Sequence, residues 1–276
     1  MARVYDRESK SRRRFLVNYE TLKLEETSGG VWELVLSHPP ANALNKQMAF
    51  ELRHAVAQLA TDPAVRAVVL YGEGKVFFGG GDLVEFKEGG DQTPANLHEM
   101  TSDFHGAISR MSRMNAPVIG AITGTAGGAG MSLTAAMDLV HAGESAKFTM
   151  AYTRAGLTPD GTSSFFLSRV IGLRRATEMV LTNRVLSADE ALEWGLINAV
   201  HPDDEVLDRA RALAAKLAAG PIHAFGGAKR LMVEGANSSL GEAMERESFA
   251  IATQALHPEA VEGIDAFLTK RSPNSP

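Results

Sequence analysis

The chain has no cysteine among its 276 residues. This absence excludes disulfide bonds, thiolate nucleophiles and cysteine metal sites, and it leaves the redox compartment undecided. The chain also has no excess of positive charge, since its formal net charge is −5. A negative net charge argues against broad nucleic-acid binding. No apolar run is long enough to span a bilayer. The sequence therefore predicts a protein with no nucleic-acid partner and no membrane partner.

Two further signals are lacking. Residues 1–17 are charged and contain no apolar segment of the kind that marks a secretory signal peptide. We therefore expect a flexible N-terminal leader and a cytoplasmic protein. The histidines other than His105 show no spacing typical of metal ligands, so no metal site is expected.

What the sequence does contain is glycine, concentrated at two junctions. The first is an apolar run over Pro117–Ile122, a glycine-dense turn over Gly124–Gly130 and a following helical segment. The second is Phe77–Leu83, in which Asp82 stands where it can cap a helix. A helix that begins after such a turn directs unpaired backbone N–H groups at the space in front of it. Either junction can therefore hold developing negative charge, or it can serve only for close packing of a helix on a sheet.

The length and composition indicate one large domain, or one domain with an appendage. Strand and helix patterns alternate up to about residue 200, and the last third of the chain has mainly helical periodicity with Gly, Pro, Asp and Ser breaks. We therefore predict an α/β core over residues 18–200 and a C-terminal helical lobe over residues 201–276.

Five short motifs together resemble the enoyl-CoA hydratase/isomerase (crotonase) superfamily. Their order and spacing carry the resemblance over residues 18–271. It implies a ClpP/crotonase-like spiral of ββα units, a C-terminal helical lobe that builds a homotrimer or a dimer of trimers, and acyl-CoA substrates. Coenzyme A would then be part of the substrate, with no redox or metal cofactor. The motifs are Asn42-Ala43-Leu44, Phe78–Leu83, Pro117–Asp138, Gly156–Asp160 and Glu190–Leu196.

The resemblance also implies roles for individual residues. The backbone amides of Gly81 and Ala129 match the oxyanion-hole donors of the family, which hold the thioester oxygen as it gains negative charge. Five more positions match family contacts with coenzyme A. Asn42, Ala43 and Gly79 fall in segments that line its adenine and pantetheine path, and Phe267 and Lys270 match a pair that contacts its nucleotide part from a neighbouring subunit.

The acid/base group is the variable part of the family. Hydratases that resemble this chain use two carboxylates, at positions that correspond to Ser132 and Tyr152 here, and neither carboxylate is present. Asp160 follows Pro159 in a pattern that resembles the single catalytic carboxylate of double-bond isomerases and of a ring-opening isomerase. One carboxylate and an oxyanion hole suffice to move a proton from one carbon to another. The sequence therefore predicts an isomerase that acts through Asp160.

Three alternatives remain open. His105 matches the histidine of 4-chlorobenzoyl-CoA dehalogenases and Asp160 matches their nucleophile, while Tyr152 stands where those enzymes carry a tryptophan that helps to position the nucleophile. A histidine and a carboxylate would also suit hydrolysis of a thioester. Asp160 could instead be only a turn or cap residue, since Gly161 follows it. In that case the chain could be a non-catalytic scaffold that binds coenzyme A.

Overall fold

A computed structural model describes residues 17–274. Within the predicted leader over residues 1–17, every residue except Val17 lies outside this range. The strands are β1 (Leu22–Glu26), β2 (Val31–Leu36), β3 (Ala67–Gly72), β4 (Val118–Ile122), β5 (Thr125–Gly127), β6 (Leu139–Gly143), β7 (Lys147–Thr149), β8 (Val185–Ser187) and β9 (Ala199–His201). The helices are α1 (Lys46–Thr61), α2 (Leu83–Glu88), α3 (Thr93–Met111), α4 (Ala129–Ala136), α5 (Ser163–Val170), α6 (Leu173–Thr182), α7 (Ala188–Glu193), α8 (Val206–Ala218), α9 (Ile222–Gly235), α10 (Leu240–Gln254) and α11 (Pro258–Leu268).

Six strands form the main sheet in the order β1-β2-β3-β4-β6-β9. The first two strands pair antiparallel, with Leu24 opposite Leu34, and every later pair is parallel. All residues of β2 and β4 are buried, as expected for strands that are covered on both faces. The apolar run over Pro117–Ile122 is thus confirmed as a buried strand, which begins at Val118.

A second layer of short strands lies beside the main sheet, in the order β5-β7-β8. Residues 76–78 extend this layer through isolated bridges, Val76 with Gly124 and Phe78 with Ala126. Each of three successive main strands, β3, β4 and β6, is thus followed by a short second-layer segment and then by a helix. These repeats form the predicted spiral of ββα units.

Two hydrophobic cores cover the two faces of the main sheet. The larger core contains apolar side chains of α1, α3 and α4. The smaller core places Val206, Ala210 and Ala214 of α8 against Val69 and Ile119 of the sheet. The boundary predicted at residue 200 assigns α8 to the C-terminal lobe, whereas in the structure this helix completes the sheet's second face.

Three strands were not anticipated from the sequence: β5, β8 and β9. The first lies within the stretch predicted as a glycine-dense turn, and the other two interrupt the stretch predicted as helical. Each strand has three residues, which is too short to produce a recognisable alternation of apolar and polar positions. Their pairing partners, and not their own sequence, therefore determine their conformation.

The three helices after α8 leave large apolar side chains exposed. Phe249 in α10 is 76% exposed, and Leu256 and Phe267 are 85% and 83% exposed. An apolar surface of this kind is typical of a contact face. No helix within residues 17–274 has the length and the apolar character needed to cross a membrane.

Candidate active site

A cavity of about 380 Å³ lies where the two glycine junctions meet α2, α3 and the segment before α5. One wall is backbone and another is apolar, with Leu83, Phe86 and Leu97 among its residues. The predicted site residues that line the cavity are Gly79, Gly81, Ala129, Tyr152 and Asp160. The cavity therefore brings together predicted site residues from Gly79 to Asp160, which are far apart in the sequence.

The backbone wall contains the two predicted oxyanion donors. Asp82 caps α2, because its Oδ1 accepts hydrogen bonds from the amides of Val84 (2.9 Å) and Glu85 (3.2 Å), which confirms the predicted cap. Gly81 stands directly before this cap, and Ala129 is the first residue of α4. No acceptor within residues 17–274 takes a hydrogen bond from the amide of Gly81 or of Ala129. Both amides are thus free to bind an oxygen atom of a ligand.

The two junctions also pack directly on each other. A Cβ atom on Gly130 would collide with the carbonyl oxygen of Phe78, and the amide of Gly127 donates to that same oxygen at 2.9 Å. The glycines therefore serve close packing as well as the donor geometry, and this contact fixes the first turn of α4 relative to the Gly81 segment.

Asp160 contributes the acidic group of the opposite wall. Among the described residues that line the cavity, it is the only one with a carboxylate. The hydroxyl of Tyr152 donates a hydrogen bond to its Oδ1 atom. No donor in the described part of the chain reaches the Oδ2 atom, which remains available to a ligand. The side chain does not cap α5, whose N-terminus has no side-chain cap. The expected turn is present, because the amide of Ser163 donates to the carbonyl oxygen of Asp160 at 3.2 Å, but this turn uses the backbone and leaves the carboxylate without a structural role in it.

Tyr152 is held in its protonated form. Burial raises the pKa of its phenol, and the negative charge of Asp160 raises that pKa further. A tyrosine with a raised pKa donates a hydrogen bond at neutral pH but does not accept a proton as a base. Its position in the site is therefore that of a donor to Asp160.

The peptide unit between Asp160 and Gly161 is bound by two further side chains. The Oγ atom of Ser132 donates to the carbonyl oxygen of Asp160 at 2.9 Å, and the amide of Gly161 donates to Nε2 of His105 at 3.1 Å. His105 is half-buried and does not line the cavity. The structure thus places His105 beside the turn that carries Asp160, behind the cavity wall.

Of the residues predicted along the coenzyme A path, some line the cavity and others do not. Gly79 lines the cavity, while Asn42 and Ala43 do not. The amide of the Asn42 side chain donates to three carbonyl oxygens, those of Glu73 (3.0 Å), Val76 (2.9 Å) and Phe77 (3.1 Å). This side chain therefore ties its own loop to the loop of residues 73–77, and the backbone amide of Asn42 donates to the carbonyl oxygen of His38 at 2.7 Å. Phe267 and Lys270 are exposed near the C-terminus and lie outside the cavity lining.

Sequence reasoning did not identify the apolar wall. Leu44, Phe86, Leu97 and Met100 line the cavity together with the exposed His98. The helical periodicity of α3 predicted one apolar face, but that face serves both the core and the cavity. Only the packing of α2 against α3 shows which residues face the empty space.

One group of possible metal ligands lies outside the cavity. His223, His257 and Glu259 are the single such cluster within residues 17–274, and the sequence spacing gave no sign of it. The Glu259 carboxylate accepts from the amide of His223 at 3.0 Å, and His257 accepts from the amide of Glu259 at 3.3 Å. These contacts cap the first turns of α9 and α11, so the side chains of Glu259 and His257 already have structural roles.

Known proteins and solved structures resemble this chain over most of its length. The family model described as Enoyl-CoA hydratase/isomerase matches residues 26–275. The chain is 34% identical to 4-chlorobenzoyl coenzyme A dehalogenase-2 of an Arthrobacter species, over 91% of each chain. It is 33% identical to 1,2-epoxyphenylacetyl-CoA isomerase of Escherichia coli, over 91% of this chain and 96% of that one. The crystal structure of an enoyl-CoA hydratase from Polaromonas superposes with a TM-score of 0.86 at 32% identity, over 92% of this chain and 98% of that chain.

Proposed function

The chain belongs to the enoyl-CoA hydratase/isomerase family, and we propose that it isomerises the acyl group of a coenzyme A thioester by proton transfer through Asp160. The family membership confirms the resemblance of the motifs. The observation that carries the proposal is that Asp160 is the only carboxylate among the described residues that line the cavity. It lies in the same cavity as two backbone amides that have no acceptor within residues 17–274.

The proposed reaction moves one proton within the acyl group, and the product has the same composition as the substrate. The thioester oxygen binds the amides of Gly81 and Ala129. Oδ2 of Asp160 removes a proton from the carbon next to the carbonyl, which gives an enolate, and the same group returns the proton to a more distant carbon. The double bond moves as a result. Each backbone donor would lower the barrier by ~2.7–4 kcal/mol, the range measured for other oxyanion holes.

Hydration of a double bond is the less suitable reaction for this site. It requires groups that position a water molecule and remove its proton. At the two positions where related hydratases carry carboxylates, Tyr152 is a donor with a raised pKa, and Ser132 is fully buried with its hydroxyl directed at the carbonyl of Asp160. Neither group is a base at neutral pH.

A second candidate is nucleophilic attack by Asp160, as in a dehalogenase. One observation favours it: Tyr152 donates to the Asp160 carboxylate from the position where dehalogenases carry their tryptophan. Such an attack forms a C–O bond to the acyl group, breaks its carbon–chlorine bond and releases chloride. An activated water must then hydrolyse the resulting ester, which gives the hydroxylated product and returns the carboxylate. The ring atom of His105 that would accept a proton is already occupied by the amide of Gly161. We therefore place this reaction second.

Turnover of two thioesters separates these candidates. Wild type, Asp160→Asn and the control Asp189→Asn, which changes an exposed carboxylate on α7, are incubated with 3-hexenoyl-CoA and with 4-chlorobenzoyl-CoA. Mass spectrometry and chloride analysis then score isomerised, hydrated, hydrolysed and dehalogenated products. We expect isomerisation of the enoyl thioester and a ~10²–10⁴-fold loss in Asp160→Asn only. Chloride release would favour the second candidate, and tight thioester binding without any product would indicate a scaffold.

We also propose that the chain assembles as a homotrimer or a dimer of trimers. The support is the apolar surface of α10 and α11, which the other described residues of the same chain leave exposed. In such an assembly Phe267 and Lys270 would reach the coenzyme A site of a neighbouring subunit. The cytoplasmic location stays a prediction from the sequence.

A further inference from the structure

We propose that His105 and Ser132 are positioning residues that hold the Asp160–Gly161 peptide, and thereby fix the carboxylate of Asp160 opposite the oxyanion donors. The inference rests on the proposed function, because it assigns Asp160 the proton transfer. It differs from the role that the sequence offered for His105, which was that of a base.

Both side chains bind the same peptide unit. Ser132 donates to its carbonyl oxygen at 2.9 Å, and His105 accepts from its N–H group at 3.1 Å. Because the two groups of a peptide point in opposite directions, the two contacts hold the plane from both sides. With the Tyr152 hydroxyl on Oδ1, backbone and side chain of the catalytic residue are both constrained.

The glycine after Asp160 explains why such a clamp is needed. Gly161 has a φ angle of +61°, and a Cβ atom there would lie 2.7 Å from Cβ of Ser132 and 2.8 Å from a ring carbon of Phe104. Close packing therefore requires glycine at this position. Glycine has the greatest backbone freedom of all residues, so the turn depends on outside contacts to keep one conformation.

Helix α4 links this clamp to the oxyanion hole. Ala129 begins the helix and Ser132 follows three residues later, in the next turn. All eight residues of this helix are buried, so it moves as a rigid unit. Helix α4 thus supplies the oxyanion donor Ala129 and also, through Ser132, holds Asp160. The helix therefore sets the distance between this donor and the carboxylate. An error of about 1 Å in such a distance can lower the rate ~10²-fold.

The hydrogen bond to His105 also determines which of its ring nitrogens carries a proton. Nε2 accepts from a backbone N–H group, so this nitrogen must be unprotonated and the ring proton of the neutral form lies on Nδ1. The lone pair of Nε2 is engaged and cannot take a proton from a substrate while the contact persists. His105 therefore acts through Asp160 and does not touch the reacting atoms.

Two substitutions distinguish a positioning role from a base. His105→Gln keeps a hydrogen-bond acceptor but removes imidazole chemistry, whereas His105→Leu removes both. With 3-hexenoyl-CoA as the probe, we expect kcat of the Leu variant to fall ~10²-fold with KM little changed. The Gln variant should recover most of that loss. The amide of Gly161, followed by NMR, should exchange its hydrogen faster in the Leu variant than in wild type or the Gln variant.

The outcomes separate this inference from the proposed function. If the Gln variant is as slow as the Leu variant while Gly161 exchange is restored, the imidazole itself is required and the positioning role is overturned. Unchanged kcat in the Leu variant, together with a large loss in Asp160→Asn, also overturns it and leaves the function intact. Full activity of Asp160→Asn would contradict the proposed function instead, whatever the hydrogen-exchange rates of Gly161 are. Ser132→Ala, tested alongside, should lower kcat without lowering thioester affinity.

Discussion

The hydroxyl of Tyr152 donates a hydrogen bond to Oδ1 of Asp160, from eight residues earlier in the chain. The bond connects the only acidic group among the described cavity residues to a phenol whose pKa is raised by burial and by the carboxylate itself. One oxygen of Asp160 is therefore held, while the other accepts from no donor within residues 17–274. This division suits a carboxylate that must remove and return a proton at one place.

We expect Tyr152→Phe to lower kcat/KM for 3-hexenoyl-CoA about tenfold. A hydrogen bond to a charged group contributes ~1.5–3 kcal/mol, and its loss leaves Asp160 free to rotate away from the substrate. Steady-state kinetics of wild type and Tyr152→Phe measures this change, and thermal denaturation of both proteins checks that the variant is folded. The expectation fails if the Phe variant equals wild type, or if it loses as much activity as Asp160→Asn.

Gly81→Val should lower kcat by roughly 10²-fold without unfolding the protein, because bulk beside the Gly81 amide displaces the thioester oxygen. A Cβ atom at this position would lie 2.7 Å from the ring of Phe86, which also lines the cavity and would have to shift. Gly235→Val is the matched control, since its Cβ would meet open space. Kinetics and circular dichroism of the two variants test the donor assignment, which near-normal turnover in a folded Gly81→Val protein would contradict.

The stability of the sheet should depend on the pair formed by Glu33 and Arg211. Glu33 in β2 has only 2% of its side chain exposed, and Arg211 of α8 binds both of its oxygens, at 2.7 and 3.0 Å. Arg211→Leu leaves a buried carboxylate without its cation. We expect a loss of ~2–3 kcal/mol in the free energy of unfolding, below the value for fully buried pairs because the arginine is partly exposed.

Arg209→Leu on the same helix is the control for this pair. Arg209 binds Glu205 one turn away, and both side chains are exposed. Such pairs contribute ~0–1 kcal/mol. Urea denaturation at one fixed protein concentration compares the two variants. Equal losses of unfolding free energy in the two variants would show that the buried contact with Glu33 stabilises the fold no more than an exposed ion pair does.

Acid should weaken the fold through His141. Burial lowers the pKa of this imidazole below its ordinary 6.5, and the neighbouring His201 lowers it further. The unfolded chain therefore takes up a proton at a higher pH than the folded chain does. This contribution to stability is complete above 6.5 and is lost as the pH falls towards the folded-state pKa. His141→Gln should lose less free energy of unfolding than wild type between about pH 7.5 and pH 5, and equal losses would refute the assignment.

The assembly prediction concerns the exposed face of α10. Light scattering should give a mass of three chains or a multiple of three. Phe249→Asp should lower that mass, because a carboxylate on a side chain that is 76% exposed in the single chain would be buried in the contact. Glu245→Gln, an exposed change on the same helix, should not. A monomeric wild-type protein at micromolar concentration rules the prediction out.

Local sequence determined a large part of this structure. The apolar run of β4, the cap at Asp82 and the glycine junctions could be recognised because each depends on residues within a few positions. The absence of the two hydratase carboxylates was visible only through the resemblance to the family. These features restricted the chain to a fold, a backbone donor wall and a single acidic group.

Tertiary structure alone decided how the site is completed. Ser132 and His105 lie 28 and 56 residues from the Asp160 and Gly161 atoms that they bind, and no pattern in the sequence specifies such contacts. The pairing of residues 76–78 with β5 is of the same kind. A hydrogen bond has a direction and a length, and both depend on how α3 and α4 pack around the Asp160 turn. The sequence could therefore name the histidine, but only the packed chain shows that its lone pair faces a backbone amide.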